Sequence, residues 1–247
     1  MISLKNLNIY NKDINTCVDE FIKDAKDSRA CNILSCINTH SYVIAKRDIS
    51  FAAALKKSKW LIPDGIGIVM ASKLFPKKIK NRLTGPDFYD STMTKLNEAH
   101  GSVAYIGSTE ENLREIRIKV NKNYPNIKIL TMISPPFQPE FKGEINDSMI
   151  NKINIHSPDI LWVGMTAPKQ EKWIFDNQKK LSVGAAAAVG AVFDFAAGNI
   201  ARAPLWMQRY NLEWLHRFAK NPLRLSSRIF ISIPMFFLYI AYEKFFL

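Results

Sequence analysis

Short apolar runs alternate along this chain with longer segments whose apolar residues recur every three or four positions. Residues 33–37, 61–62, 103–106, 127–133, 160–163 and 183–189 read as strands. Residues 42–55, 66–75, 110–120, 145–155 and 169–177 read as helices between them. Strict alternation of this kind predicts an α/β fold: a Rossmann-like parallel sheet covered by helices on both faces. Near Ala201 the pattern changes to helices carrying Arg202, Arg209, Arg217, Lys220, Arg224 and Arg228, opposed only by Glu213. The chain therefore divides into a sheet domain over residues 1–200 and a basic helical appendage over 201–247. The appendage ends in a run, 229–242, that is apolar on all sides. That run is shorter than the roughly 20 apolar residues a bilayer span needs, and Pro234 interrupts it. It reads as an interfacial segment dipping into one leaflet; the alternative is a terminal helix packed on the core.

Composition narrows the setting. Of 247 residues, 47% are hydrophobic and 23% charged, the balance of a globular chain rather than a disordered one. Cys17, Cys31 and Cys36 form no CxxC pair, which points to a reducing cytoplasm. The opening Met1-Ile2-Ser3-Leu4-Lys5-Asn6 has no cationic flank before an apolar core, so no secretory signal is expected. A formal net charge of +12 calls for an anionic partner: nucleic acid, a phosphate-bearing substrate or an acidic membrane surface.

Two strand-to-helix corners carry the candidate chemistry. In an open α/β sheet, ligands sit where a strand's C-terminal end passes to a helix N-terminus. In the run 161–173, Gly164 opens such a corner, Pro168 suits the first helical position, and Lys169 and Gln170 face whatever lies there. In the run 60–69, Pro63-Asp64-Gly65 leaves a carboxylate at the rim. That carboxylate can accept a proton from a substrate hydroxyl, or merely cap the helix that follows. No Asp-x-Asp triplet occurs, and His40, His100, His156 and His216 are too scattered to suggest a metal site. Neither a metal nor another cofactor is expected.

The segments Asn38-Thr39-His40, Pro63-Asp64-Gly65, Arg82-Leu83-Thr84-Gly85-Pro86-Asp87, Tyr105-Ile106-Gly107-Ser108, Gly164 to Glu171 and Gly190-Ala191-Val192-Phe193-Asp194 together resemble the WecG/TagA/CpsF family. Arg202-Ala203-Pro204-Leu205-Trp206, Leu212-Glu213-Trp214 and Arg217 continue the match. The resemblance implies a bacterial family 26 glycosyltransferase. Such an enzyme moves a sugar, with inversion, from a UDP-sugar donor to a polyprenyl-diphosphate-linked saccharide acceptor at the cytoplasmic membrane face. It implies Asp64 as the base and Asn38, Arg82, Gln170 and Asp194 as residues of the nucleotide-sugar pocket. Arg217 and Arg224 are implied to fold over that pocket and hold the diphosphate. Two positions depart from the family pattern. Ser227 stands where relatives carry a further basic residue, with Arg228 next to it. Cys36 stands where many carry threonine, so its hydroxyl is expected to be dispensable or supplied by Thr39.

Two other classes compete. A dinucleotide-dependent oxidoreductase would use Gly65-Ile66-Gly67 as the start of a glycine fingerprint, but Met70 occupies the third glycine's place. A nucleic-acid binder would account for the charge, but the basic residues follow no RNP or zinc-finger pattern and many sit beside the apolar tail. The expected partners are the two sugar substrates and an anionic membrane surface, not nucleic acid, and a homo-oligomer is left open.

Overall fold

A computed structural model of the chain describes residues 2–28 and 30–246. The chain enters through α1 (Ile14–Asp27), then β1 (Asn32–Ile37), α2 (Thr39–Ala45), α3 (Ile49–Lys57), β2 (Trp60–Pro63), α4 (Ile66–Ser72) and α5 (Gly85–Glu98). It continues through β3 (Ser102–Gly107), α6 (Glu110–Asn123), β4 (Lys128–Ile133), α7 (Gly143–Asn154), β5 (Ile160–Gly164), α8 (Lys169–Asn177), β6 (Ala185–Ala188) and α9 (Val192–Ala197). The appendage follows as α10 (Leu205–Arg209), α11 (Glu213–Lys220), α12 (Pro222–Ser227), a π-helical turn (Arg228–Ser232) and α13 (Ile233–Phe246).

The described strands form one six-stranded, all-parallel sheet in the order β2-β1-β6-β5-β3-β4. Period-two geometry distributes its side chains to two faces. Along β5, Ile160 and Trp162 join the layer under α1, α5 and α6, whereas Leu161 and Val163 join the layer under α7 and α8. Strand β6 is four buried alanines, Ala185 to Ala188, which lets helices come close on both sides. A third apolar cluster gathers Ile37 and Leu61 with α2, α3, α4 and two residues of α13, Phe236 and Ile240. From β1 the chain steps outward to β2 and then crosses to β3 beyond β5. The loops after β1, β6 and β5 therefore diverge and open a crevice at the sheet's C-terminal edge.

The parallel α/β sheet of the sequence reading is present, with differences in detail. Helix α1 was not read from the sequence, although Cys17, Val18, Phe21 and Ala25 recur at helical spacing and Asp13 caps it by accepting from the Thr16 N–H at 3.0 Å. Helix α5 was read only for its motif; Thr84 caps it by accepting from the Asp87 N–H at 3.2 Å. The single helix expected over 42–55 is two. The first ends at Ala45, and Asp48 starts the next by accepting from the Phe51 N–H at 2.9 Å.

The tail also differs from its reading. A continuous helical stretch, Leu225–Phe246, is 22 residues long, enough by length and composition to cross a membrane. Only one of its faces is packed. Phe236, Ile240 and Glu243, spaced i, i+4 and i+7, are buried against the domain, whereas Phe237, Leu238, Tyr242, Phe245 and Phe246 are exposed. Glu243 is the anchor. Its carboxylate accepts from Ser3 Oγ (2.9 Å), the Leu4 N–H (3.0 Å) and Tyr42 Oη, and it pairs with Lys46 Nζ.

Candidate active site

The crevice is a cleft of about 140 Å3. Its floor is Cys36 of β1, Ala188 of β6 and the Val189-Gly190-Ala191 turn; one wall is the start of α8, and the appendage closes the top with His216, Arg217, Lys220 and Arg228. Asp64, the residue after β2, reaches the cleft because its N–H is held by the Ile37 carbonyl at 2.9 Å. It does not cap the helix that follows. Helix α4 starts at Gly65 with no side-chain cap. The Asp64 carboxylate instead accepts from the Gly85 N–H, in the first turn of α5, at 3.1 Å. Desolvation pushes its pKa up to about 6; the Gly85 N–H, Arg217 and Arg82 pull it down, and Glu213 adds to the rise. A carboxyl so poised is ionised near neutral pH yet basic enough to take a proton.

Asn38 lines the cleft while capping α2: its Oδ1 accepts from the Ser41 N–H at 3.0 Å, and Ser41 Oγ accepts from the Asn38 N–H at 2.8 Å. The cap uses Oδ1 and leaves the amide nitrogen as a donor. Gln170 is buried in the wall, its Oε1 accepting from the Met165 N–H (3.3 Å) and its Nε2 donating to Glu171 Oε1 (3.0 Å). Asp194, in the first turn of α9, lines the cleft and accepts from Asn112 Nδ2 at 3.4 Å. Arg217 lines it too, with its guanidinium 6.0 Å from the centre of the Phe195 ring. Thus Asn38, Asp64, Gln170, Asp194 and Arg217 come together.

Thr39 and Arg82 are not among the lining residues. Thr39 packs against Gly67 of α4, where a Cβ would come within 2.5 Å of its methyl group. Arg82 pairs with Glu213 of α11, which also meets Arg202 at 3.5 Å, while Arg202 reaches Asp87 at 2.8 Å. Glu213 therefore fastens α11 to the domain beside the cleft. Arg82 acts on Asp64 through its charge. Arg224 lies in α12, and its side chain is outside the described residues.

Three cleft residues were absent from the sequence-based site. Glu171, next to Gln170, is only 2% exposed; burial pushes its pKa up to about 7, and its Oε2 has no hydrogen-bond partner among the described residues. His40 bonds Ser232 Oγ through Nδ1 at 2.8 Å, and burial followed by the Arg228 charge pushes its pKa down to about 4. Thr166 holds a φ of +70°, an unfavourable conformation for a β-branched residue of the kind found at ligand sites. Glu171 and His40 both stood inside quoted motifs. Sequence alone carried no signal that they were desolvated. No three His, Cys, Asp or Glu side chains among the described residues are grouped as metal ligands would be.

The profile of the Glycosyl transferase WecG/TagA/CpsF family matches residues 2–247. The chain belongs to this family. Its membership makes the chain a glycosyltransferase, the class that the segments from Asn38 to Arg217 resemble. Among similar proteins, an N-acetylglucosaminyldiphosphoundecaprenol N-acetyl-beta-D-mannosaminyltransferase of Bacillus subtilis (strain 168) is 28% identical over 98% of this chain and 91% of its own. The protein of the same description in Bacillus spizizenii is 30% identical over 78% of this chain and 72% of its own. One in Staphylococcus aureus (strain MW2) is 26% identical over 79% and 74%.

Proposed function

We propose that this WecG/TagA/CpsF chain transfers an N-acetylmannosamine-type sugar from a UDP-sugar to a polyprenyl-diphosphate-linked N-acetylglucosamine, with inversion, in the synthesis of a cell-envelope polymer. Transferred sugar and acceptor follow the descriptions of its relatives. The observation that carries the reading is Asp64, a desolvated carboxylate facing a cleft whose opposite side is cationic.

In a direct displacement the acceptor hydroxyl oxygen bonds the anomeric carbon as the bond to the UDP oxygen breaks. Asp64 takes the hydroxyl proton, and the electron pair leaves with the diphosphate. Arg217, with Arg224 from α12, supplies counter-charge to that leaving group. Asn38, Gln170 and Asp194 orient the donor, Thr39 and Arg82 support them, and residues 1–200 form the catalytic domain. Arginines in this role replace a metal. Full turnover is therefore expected in excess EDTA, and activity lost to chelator and restored by Mg²⁺ or Mn²⁺ would contradict it.

Residues 201–247 serve as lid and membrane-contact segment. A cleft of about 140 Å3 is well below the roughly 300–1,000 Å3 of small-molecule sites, so α11 and α12 must lift to admit a nucleotide sugar. The same segment exposes Leu205, Trp206, Tyr210 and Leu223 as well as the outer face of α13. An apolar face of this extent on a basic segment suits a bilayer whose anionic lipid carries the acceptor. The enzyme then works peripherally, on the cytoplasmic face. Incubation with a panel of UDP-sugars and a polyprenyl-diphosphate-N-acetylglucosamine analogue, read by product mass, tests the reading. One added N-acetylhexosamine supports it; no product with any UDP-sugar contradicts it.

A further inference from the structure

A groove of about 920 Å3 lies away from the cleft and is lined by no acid. Its walls are the N-terminal segment around Leu4–Asn11, the loop after α4 and the end of α13. Its floor is apolar, with Leu4, Leu7, Phe75 and Ile79 buried. Lys5, Lys77, Lys78 and Lys244 rim it and are exposed. The loop itself, Lys73 to Lys80, contains four lysines and no carboxylate.

This groove is built rather than incidental. Asn11 clamps the loop from both sides, its Nδ2 donating to the Lys78 carbonyl and its Oδ1 accepting from the Lys80 N–H, each at 2.8 Å. Ser72 Oγ accepts from the Ile79 N–H at 2.9 Å, which turns Lys77 and Lys78 outward. Lys5 stands with its ammonium 5.6 Å from the centre of the Phe75 ring. Alongside lie the exposed Met70 and Leu74 on one side and Phe245 and Phe246 on the other. An apolar floor, a rim of exposed ammonium groups on a clamped loop and apolar flanks match one surface chemistry: phosphodiester headgroups with acyl chains beneath them.

We propose that this lysine-rimmed groove seats the headgroups of anionic phospholipid, a second point of membrane contact beyond the exposed face of α13; it rests on the reading of the chain as a peripheral membrane enzyme. The helical stretch that ends in α13 links the two ends of the arrangement. The helical stretch begins with Leu225 and Arg228 at the cleft and ends with Lys244 at the groove. At 1.5 Å per residue its length is roughly 30 Å, so a headgroup held at the groove lays the helix along the bilayer and brings the cleft to the surface that carries the acceptor. The loop contributes at both places too, since a few residues beyond Lys78 it delivers Arg82 beside Asp64.

The test is vesicle co-sedimentation of the full chain with phosphatidylcholine alone and with phosphatidylcholine containing phosphatidylglycerol. Three variants are compared: Lys77→Glu/Lys78→Glu, the milder Lys5→Gln/Lys244→Gln, and Phe237→Asp/Leu238→Asp on the apolar face. Melting temperature and turnover on a short-chain, water-soluble acceptor serve as controls. The wild type should prefer the anionic vesicles, and Lys77→Glu/Lys78→Glu should weaken that binding at least about tenfold with soluble-acceptor turnover unchanged. Lys5→Gln/Lys244→Gln should lose less, and in the same direction. If both lysine pairs bind anionic vesicles like the wild type while Phe237→Asp/Leu238→Asp is released, the groove is not a headgroup site although the enzyme is still membrane-bound. If the wild type binds neither vesicle, the peripheral-membrane reading falls and the groove proposal with it.

Discussion

Asp64 and Glu171 show how one cleft sets two carboxyls. Both are raised by desolvation, Asp64 to about 6 and Glu171 to about 7, but Asp64 has Gly85, Arg217 and Arg82 to favour its ionised form while Glu171 has chiefly the Gln170 amide. Because both folded-state pKa values lie above the ordinary carboxylate range, the stability each group contributes is full below that range and lost as pH rises through its folded value. Glu171→Gln, which removes a carboxylate that burial disfavours, should therefore raise the melting temperature at pH 8, with a gain on the order of 2 kcal/mol that vanishes below about pH 4. Thermal scans across pH check this, and a variant less stable than the wild type at pH 8 would show that the carboxylate is needed there. The rate carries the opposite sign. Transfer should fall as pH drops through about 6, because a protonated Asp64 cannot accept the hydroxyl proton.

At the scale of elements, the docking of α13 depends on a single buried acid. Glu243 pairs with Lys46, and both side chains are almost fully enclosed. Removing one partner of such a pair leaves the other charge stranded, so Glu243→Leu should destabilise the protein by about 3–5 kcal/mol in urea unfolding, and Lys46→Met/Glu243→Leu by clearly less. Equal losses in the single and double variants would mean that the pair is not what holds the helix. Lys46 and Tyr42 hold Glu243 below the usual carboxylate range despite burial. This contribution is thus present above the ordinary range and lost as acid protonates the group.

The elements also show where sequence reading stops. The strands were legible because a parallel sheet buried on both faces needs apolar runs, as in Leu161-Trp162-Val163. The buried face of α13 was not, because Phe236 and Ile240 look no different in sequence from the exposed Phe237 and Leu238. Glu243 was its one polar signal, standing at the end of an apolar run. Likewise Asp64 and Gln170 could be picked out at strand-to-helix corners, and Asn38 and Asp194 through the family resemblance, but desolvation of Glu171 and His40 is a property of the assembled cleft and leaves no mark on local sequence.

For the whole molecule, the decisive relation is between sheet domain and appendage. Glu213 bridges Arg82 of the one and Arg202 of the other, and Arg217 from the same helix faces the cleft. If the appendage is a lid that supplies counter-charge, Arg217→Ala should reduce turnover even on a soluble acceptor, by about 10²-fold or more. Loss confined to vesicle binding, with soluble-acceptor turnover intact, would make that arginine a lipid contact only. All of this rests on Asp64 as the base. The most direct measurement is therefore the turnover of Asp64→Asn with a UDP-sugar donor and a polyprenyl-diphosphate-linked acceptor, taken together with its UDP affinity. An amide cannot take the acceptor proton, so kcat should fall by about 10²–10⁴ while UDP binding stays near the wild-type value. More than about a tenth of wild-type turnover in that variant would remove Asp64 from the chemistry.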